Sequence, residues 1–256
     1  MKNIKKYQGV IRDIIKKNLL LEPQYDQKYY HYVLNSGKRF RPAIILALAP
    51  NIAGKHFALY VEYFHTACFS RRSQEDLSDK YGNTVAIQTK FNLLQLAYQQ
   101  LSAGMAYLSS EKEQEIRTDI ETYRTNKLYP DDYKDWSLRR QQEFELQQIK
   151  LNSIFGTCFV LGCAAGEICV EQEKIRCIGD LFSLCYQIVS DLRYRRGLCK
   201  LYTHNQIVEL FKQSLAALTI QIKETSLDRP LILELLDYFV KAFTQYITTI
   251  KTKTKN

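Results

Sequence analysis

HTACFSRRSQED, residues His65–Asp76, is the stretch whose reading decides the architecture of this chain. It follows an apolar run, FALYVEYF at Phe57–Phe64, and the two together predict one long helix over His56–Asp79. A helix apolar on most sides packs at the centre of a helical domain rather than on its surface. Within the stretch the chemistry changes along the chain. Small residues, Ala67 and Cys68, give way to Arg71 and Arg72, and then to Glu75 and Asp76.

On the N-terminal side, Lys2–Leu21 predicts an amphipathic outer helix, with Ile4, Tyr7, Val10, Ile11, Ile14, Ile15 and Leu19 at helical spacing. Glu22 and Pro23 break the chain. A second helix over Asp26–Asn35 runs to Gly37, a residue suited to a helix C-terminus. A third over Lys38–Pro50 carries Arg41 and Pro42 in its first turn, where proline is tolerated. On the C-terminal side, helices are expected over Tyr81–Ser109 and, charged and outer, over Glu111–Asn126. A turn at Tyr129–Asp132 follows, with Asp135 or Ser137 as the next helix cap. Leu138–Val170 starts polar and becomes almost wholly apolar from Ile149, so its second half is central. Lys174–Arg195, Asn205–Lys223 and Pro230–Ile250 complete the set. About ten helices, without a convincing strand or a repeat, predict an all-α single domain over 1–256.

Composition agrees. The chain is 46% hydrophobic, enough for a substantial core. Five prolines and ten glycines disfavour an all-β fold and long linkers. A formal charge of +9 suits phosphorylated ligands or anionic surfaces. The lysines are dispersed and form no recognition motif, so nucleic acid is not an expected partner. Seven cysteines lie in apolar helical runs without a CxxC pair. They read as reduced core residues in a reducing, cytoplasmic compartment. Charges at Lys2, Lys5, Lys6, Arg12 and Asp13 argue against a signal peptide. No transmembrane segment is expected, on the reading that no window approaches the ~20 apolar residues of a span.

Three further stretches carry chemistry. SGKRFRP, Ser36–Pro42, places Lys38 and Arg41 three apart at a predicted helix start, on one face. A helix N-terminus favours an anion, and a lysine point charge with an arginine fork suits a diphosphate. Taken alone, the same residues also read as a solvated basic turn. KLNSIF, Lys150–Phe155, puts an ammonium at the edge of an apolar helix, where snorkelling to the surface is the simpler reading. CYQIVSDLRY, Cys185–Tyr194, carries Gln187 and Asp191, followed by Arg193, Arg195 and Arg196.

In order and spacing these stretches resemble the isoprenyl (polyprenyl) diphosphate synthase family. His65–Asp76 is similar to its first aspartate-rich helix, SGKRFRP to its G-K-x-x-R-P element, KLNSIF to K-T-x-x-L-F, and CYQIVSDLRY to the second aspartate-rich helix. The resemblance spans roughly 30–250. It implies a helical bundle around a deep central cavity, with Lys38, Arg41, His65, Lys150 and Gln187 holding an isoprenoid diphosphate. It implies a tunnel left deep by Ala67 and Cys68, and a dimer.

The chain departs from the family where metal is bound. Arg71, Arg72 and Ser73 stand at a polar and two aspartate positions, and Ser190 and Tyr194 at two aspartate positions of the second motif. Asp76 and Asp191 are the residual carboxylates the resemblance assigns to Mg²⁺. Magnesium demands hard oxygen ligands in octahedral geometry, and a guanidinium in a ligand position repels it. Arg71 and Arg72 can instead contribute positive charge toward a diphosphate. The lysine-bearing loop that closes over the family site is also missing after Asp191. The leading expectation is a catalytically impaired auxiliary subunit or isoprenoid-diphosphate binder, paired with a catalytic synthase chain or with itself. Two alternatives stay open: an active Mg²⁺-dependent prenyltransferase or terpene synthase, and a helical interaction protein without ligand.

Overall fold

A computed structural model describes residues 2–20, 26–35, 37–70, 72–124, 130, 132–151 and 154–253. Contacts gather the chain into two compact units, 1–114 with 161–169, and 115–160 with 170–256. The first unit holds α1 (Lys2–Leu20), α2 (Gln27–Leu34), α3 (Phe40–Leu48), α4 (Ile52–Phe69), a π-helical turn (Arg72–Asp76), α5 (Leu77–Tyr81), α6 (Asn83–Met105) and the start of α7 (Ser110–Arg124). The second holds the rest of α7, a 3-10 turn (Tyr133–Asp135), α8 (Leu138–Leu151), α10 (Gln172–Tyr194), α11 (Leu198–Leu201), α12 (His204–Glu224) and α13 (Pro230–Lys253). Between α8 and α10, α9 (Ile154–Ala165) gives its first turns to the second unit and its last residues to the first. No strand occurs among the described residues, as expected.

In the first unit α4 packs on α3 and α6. Phe57, Val61 and Tyr63 of α4 and Leu93, Leu96 and Ala97 of α6 are all fully buried. Gly104 permits this approach, since a Cβ there would lie 2.5 Å from the Phe57 ring. Asn51 caps α4: its Oδ1 accepts from Gly54 N at 2.9 Å and its Nδ2 donates to Ala165 O at 2.7 Å. The outer amphipathic helix takes its expected place, with α1 burying Ile4, Ile11, Ile15 and Leu19 and packing on α3 and α4.

The second unit is organised on α10, which packs on α8, α12 and α13. Phe182 of α10 is ringed by Phe155, Phe159 and Phe239, with centroids 5.0, 5.6 and 4.9 Å away. Such edge and tilted contacts add to the burial of the rings themselves. Below them Gly179 meets Gly156 so closely that a Cβ on Gly179 would lie 2.2 Å from the Gly156 Cα. The obstacle is backbone, so no rotamer relieves it. Gly179→Ala is therefore expected to destabilise the protein by about 2 kcal/mol, read by thermal or urea unfolding.

Several expectations need correction. The long helix over His56–Asp79 is broken: α4 stops at Phe69, and Ser70 adopts extended backbone (φ −85, ψ 121) before the π turn. Lys38 lies outside α3, because Arg39 takes a left-handed conformation (φ 54) at the helix start. Lys38 and Arg41 therefore do not share a helix face by simple spacing. Leu138–Val170 is described as two helices, α8 and α9, with Asn152 and Ser153 outside the described residues. Of the two cap candidates for α8, Ser137 is the one used, as the sequence allowed, its Oγ accepting from Arg140 N at 3.4 Å. The expected breaks at Glu22 and Pro23 and at Tyr129 lie outside the described residues. Not every cysteine is in the core, since Cys169 and Cys177 are exposed. None of the seven is in a disulfide. Burial pushes Cys185 up to about 12 and Cys199 to about 11, which keeps both protonated. The stretch Leu138–Ala165 is long and apolar enough to cross a membrane by length and composition alone, and 79% of its apolar window is buried within the protein, as in a core helix.

Candidate functional site

The basic turn is built by two unusual backbone positions. Gly37 has φ 122, open to glycine without strain, and Arg39 has φ 54. The left-handed Arg39 sends its side chain inward, where its guanidinium pairs with the Glu62 carboxylate of α4, each side chain only 9% exposed. Burial holds the Arg39 pKa down to about 10, with the Arg12 charge adding to the effect and Tyr63 opposing it. Lys38 is left exposed on the outside of the turn, its Nζ 5.7 Å from the Phe40 ring. Gln8 of α1 fixes the turn by donating from Nε2 to Lys38 O at 2.9 Å. Arg41 follows, half-buried, in the first turn of α3, whose start has no side-chain cap. An exposed lysine, an arginine and an uncapped helix start make an anion-favouring corner.

Arg39 and Glu62 escaped sequence reading. The available signal was Glu62 itself, a lone carboxylate in the apolar run Phe57–Phe64, which burial obliges to find a cation.

At the far end of α4, His65 is half-buried with its ring 5.8 Å from Phe69. Thr66 and Ala67 are buried. Ser73, read from the sequence as a lost aspartate position, is 1% exposed. Its hydroxyl donates to Thr66 O and lies 2.9 Å from Ser70 O. A serine hydroxyl that takes backbone carbonyls competes with regular helix, and here it latches the chain where α4 ends. Asp76 closes the π turn, part-exposed, before α5. Arg72 lies in that turn, and Arg71 lies outside the described residues.

The residues of the second motif sit in the other unit. Asp191 is 1% exposed near the C-terminus of α10. Its Oδ1 accepts from Gln187 Nε2 at 2.7 Å and its Oδ2 from Leu198 N at 2.9 Å. Arg196 Nε stands 3.8 Å away. Burial raises the Asp191 pKa, against the bonds from Leu198 and Gln187 and the charge of Arg196, and the Glu145 carboxylate adds a small further rise. Gly197, at φ 54, turns the chain tightly over the carboxylate, so that a Cβ there would lie 2.3 Å from Oδ2. The carboxylate thus holds the turn from α10 into α11. Gln142 Nε2 of α8 holds the far end of α11 by donating to Leu201 O at 2.6 Å. Lys150 lies in the last turn of α8.

These donors fit magnesium poorly. Each Asp191 oxygen already accepts a hydrogen bond, and a guanidinium stands beside it. Asp76 shares its turn with Arg72. A divalent cation that wants several anionic oxygens finds Asp191 already bonded, and only Asp76 at the motif's acid positions, with Glu75 beside it in sequence.

No protein-family model matches the sequence, and no curated protein does. Solved structures do match. A geranyltransferase from Legionella pneumophila superposes with a TM-score of 0.72 at 15% identity, covering 92% of this chain and 95% of its own. An isoprenoid synthase family member from Thermotoga neapolitana gives 0.64 at 18% identity, over 95% and 98%. A geranyltransferase from Helicobacter pylori gives 0.61 at 17% identity, over 84% and 87%. The chain has the isoprenyl diphosphate synthase fold. The expected fold class is borne out, and near-complete coverage in both directions extends it along the chain. At this level of identity the isoprenyl synthase fold is what the likeness establishes, and the chemistry rests on the residues above.

Proposed function

We propose that this chain is a degenerate polyprenyl-synthetase-like protein, an auxiliary or regulatory subunit that binds an isoprenoid diphosphate without turning it over alone. Residues 1–256 act as one isoprenoid-synthase-like domain in a reducing, cytoplasmic setting. The observation that carries the reading is the employment of Asp191, whose carboxylate holds a turn by two hydrogen bonds. Gln187 is committed to the same carboxylate. The exposed Lys38 and the half-buried Arg41 supply the charge that grips the diphosphate, and the geranyltransferase neighbours support the ligand class.

The test is a titration with geranyl diphosphate, with and without Mg²⁺, followed by a condensation assay with isopentenyl diphosphate. Binding is expected without Mg²⁺, weakened tenfold or more in Lys38→Ala/Arg41→Ala, and no product is expected. Tenfold corresponds to about 1.4 kcal/mol, a modest figure for two charged contacts. Turnover that needs Mg²⁺ and disappears in Asp76→Ala and Asp191→Asn would instead establish an active prenyltransferase.

A second copy of the chain is the partner favoured by α6. Ile87, Phe91 and Tyr98 are 56%, 66% and 37% exposed along this helix. Lys90, half-buried, is the one charged residue of this 23-residue helix, in a chain that is 25% charged. Depletion of charge around exposed aromatic and aliphatic residues marks the core of an interface. Two chains of formal charge +9 repel over most of their surfaces, and an apolar stripe with one charge is where they can meet. A two-fold pairing places that stripe against itself. Phe91→Lys is expected to convert a dimer to a monomer in sedimentation, with the helical spectrum unchanged.

A further inference from the structure

A cleft of about 320 Å³ lies between α1 and α2, distinct from the basic turn at Lys38–Arg41. Ile15, Leu19 and Leu34 give it an apolar floor, and Arg12, Lys16 and His31 stand among its lining residues. All three basic residues are exposed. No carboxylate belongs to the lining among the described residues. Gln27 ties the two helices at one end, donating from Nε2 to Leu19 O at 2.8 Å. Tyr30, 1% exposed, also contributes to the wall, and Leu20, 64% exposed, stands at the mouth.

We propose that this cleft binds an amphiphile with an anionic head, a carboxylate or phosphate carried on an apolar chain. The head lies against Arg12 and Lys16, one helical turn apart on α1, with His31 facing them from α2. The chain lies along Ile15, Leu19 and Leu34. The volume is at the low end of ordinary ligand pockets, sized for a single chain rather than a two-tailed lipid. The charge pattern supports the sign of the head. Arg12 is close enough to the buried Arg39 to lower its pKa, so the two guanidinium groups repel each other. Neither Arg12 nor Lys16 makes an ion pair among the described residues. An anion beside Arg12 relieves that repulsion.

The experiment titrates the full chain with dodecyl phosphate below its micelle concentration, read by ¹³C-methyl NMR and calorimetry. The methyl groups of Ile15, Leu19 and Leu34 are expected to shift. Affinity is expected to fall tenfold or more in Arg12→Glu/Lys16→Glu and to stay unchanged in Lys38→Ala/Arg41→Ala. Dodecanol, which lacks the charge, and inorganic phosphate, which lacks the chain, are each expected to bind at least tenfold more weakly. Equal binding by either, indifference to the Arg12→Glu/Lys16→Glu change, or methyl shifts confined to other residues would overturn the proposal. Vesicles of phosphatidylglycerol form a separate arm. Vesicle binding without any methyl response to the monomeric amphiphile would also overturn it, in favour of surface attachment through the lysines of α1. Geranyl diphosphate binding that survives Arg12→Glu/Lys16→Glu keeps this cleft separate from the diphosphate turn, so either can fail alone.

Discussion

Replacing Arg176 by leucine is expected to destabilise the protein by about 3 kcal/mol, the low end for breaking a buried ion pair, because Arg176 is partly exposed. Its partner Asp119, on α7, is 3% exposed and reaches no other cation among the described ion pairs. The Arg176 guanidinium pairs with Asp119 Oδ1 and also donates to Asp119 O at 3.3 Å, while Thr157 Oγ1 donates to Oδ2 at 3.2 Å. Burial raises the Asp119 pKa, against the lowering by Arg176 and Thr157. Without Arg176 the rise becomes larger. A raised carboxylate pKa means that the folded state holds its proton more tightly than the unfolded chain does. Its contribution to stability is present below the ordinary value of 3.8 and lost as pH climbs through the folded value. The deficit of Arg176→Leu should therefore be smallest in acid and grow toward neutral pH. Urea unfolding across that range measures it, and a flat difference would refute the assignment. Pairing the change with Asp119→Leu should recover much of the loss, since apolar replacement of both partners removes the stranded charge.

Glu62→Gln is expected to cost about 3–5 kcal/mol, because it strands the Arg39 guanidinium inside the first unit. It should also weaken geranyl diphosphate binding, although Glu62 is an acid and lies beneath the turn rather than on it. Arg39 is the left-handed residue between Lys38 and Arg41 and its ion pair anchors the turn, so losing its partner loosens the corner that presents both charges. A residue with only a local electrostatic effect would do the reverse, since removing a negative charge near a bound anion tightens it. Calorimetry on the folded variant thus separates positioning from field. Arg39→Met/Glu62→Met should regain stability more fully than affinity.

The helices were legible because burial leaves a periodic record. The apolar positions of α1, the run before His65 and the apolar second half of Leu138–Val170 each locate a core face. The break at Ser70 left no such record. It depends on one hydroxyl, Ser73, taking backbone carbonyls that regular helix would have used, and on a polar stretch whose pattern fits either geometry. Lys38 and Arg41 were found as a basic pair, but the residue that shapes their turn lay between them. Arg39 is a basic residue in a basic stretch, and only Glu62 gives it a reason to face inward. Asp191 was recognised as a surviving carboxylate, while its use depended on Gly197, six residues on, where the backbone doubles back over it. Side chains that serve the backbone are difficult to tell from side chains that serve a ligand when only their order is known.

The π turn at Arg72–Asp76 has a bearing on any attempt at repair. On an α-helix, positions four apart stack along one side, which is how paired acids come to face a common ion. A turn closed between residues five apart lays its side chains out with a different pitch. Writing aspartate back at 72, four places before Asp76, would restore the letters of a metal-binding motif without restoring its alignment. Revival of such a site would have to begin with Ser70 and Ser73, where the chain first leaves the α-helical path.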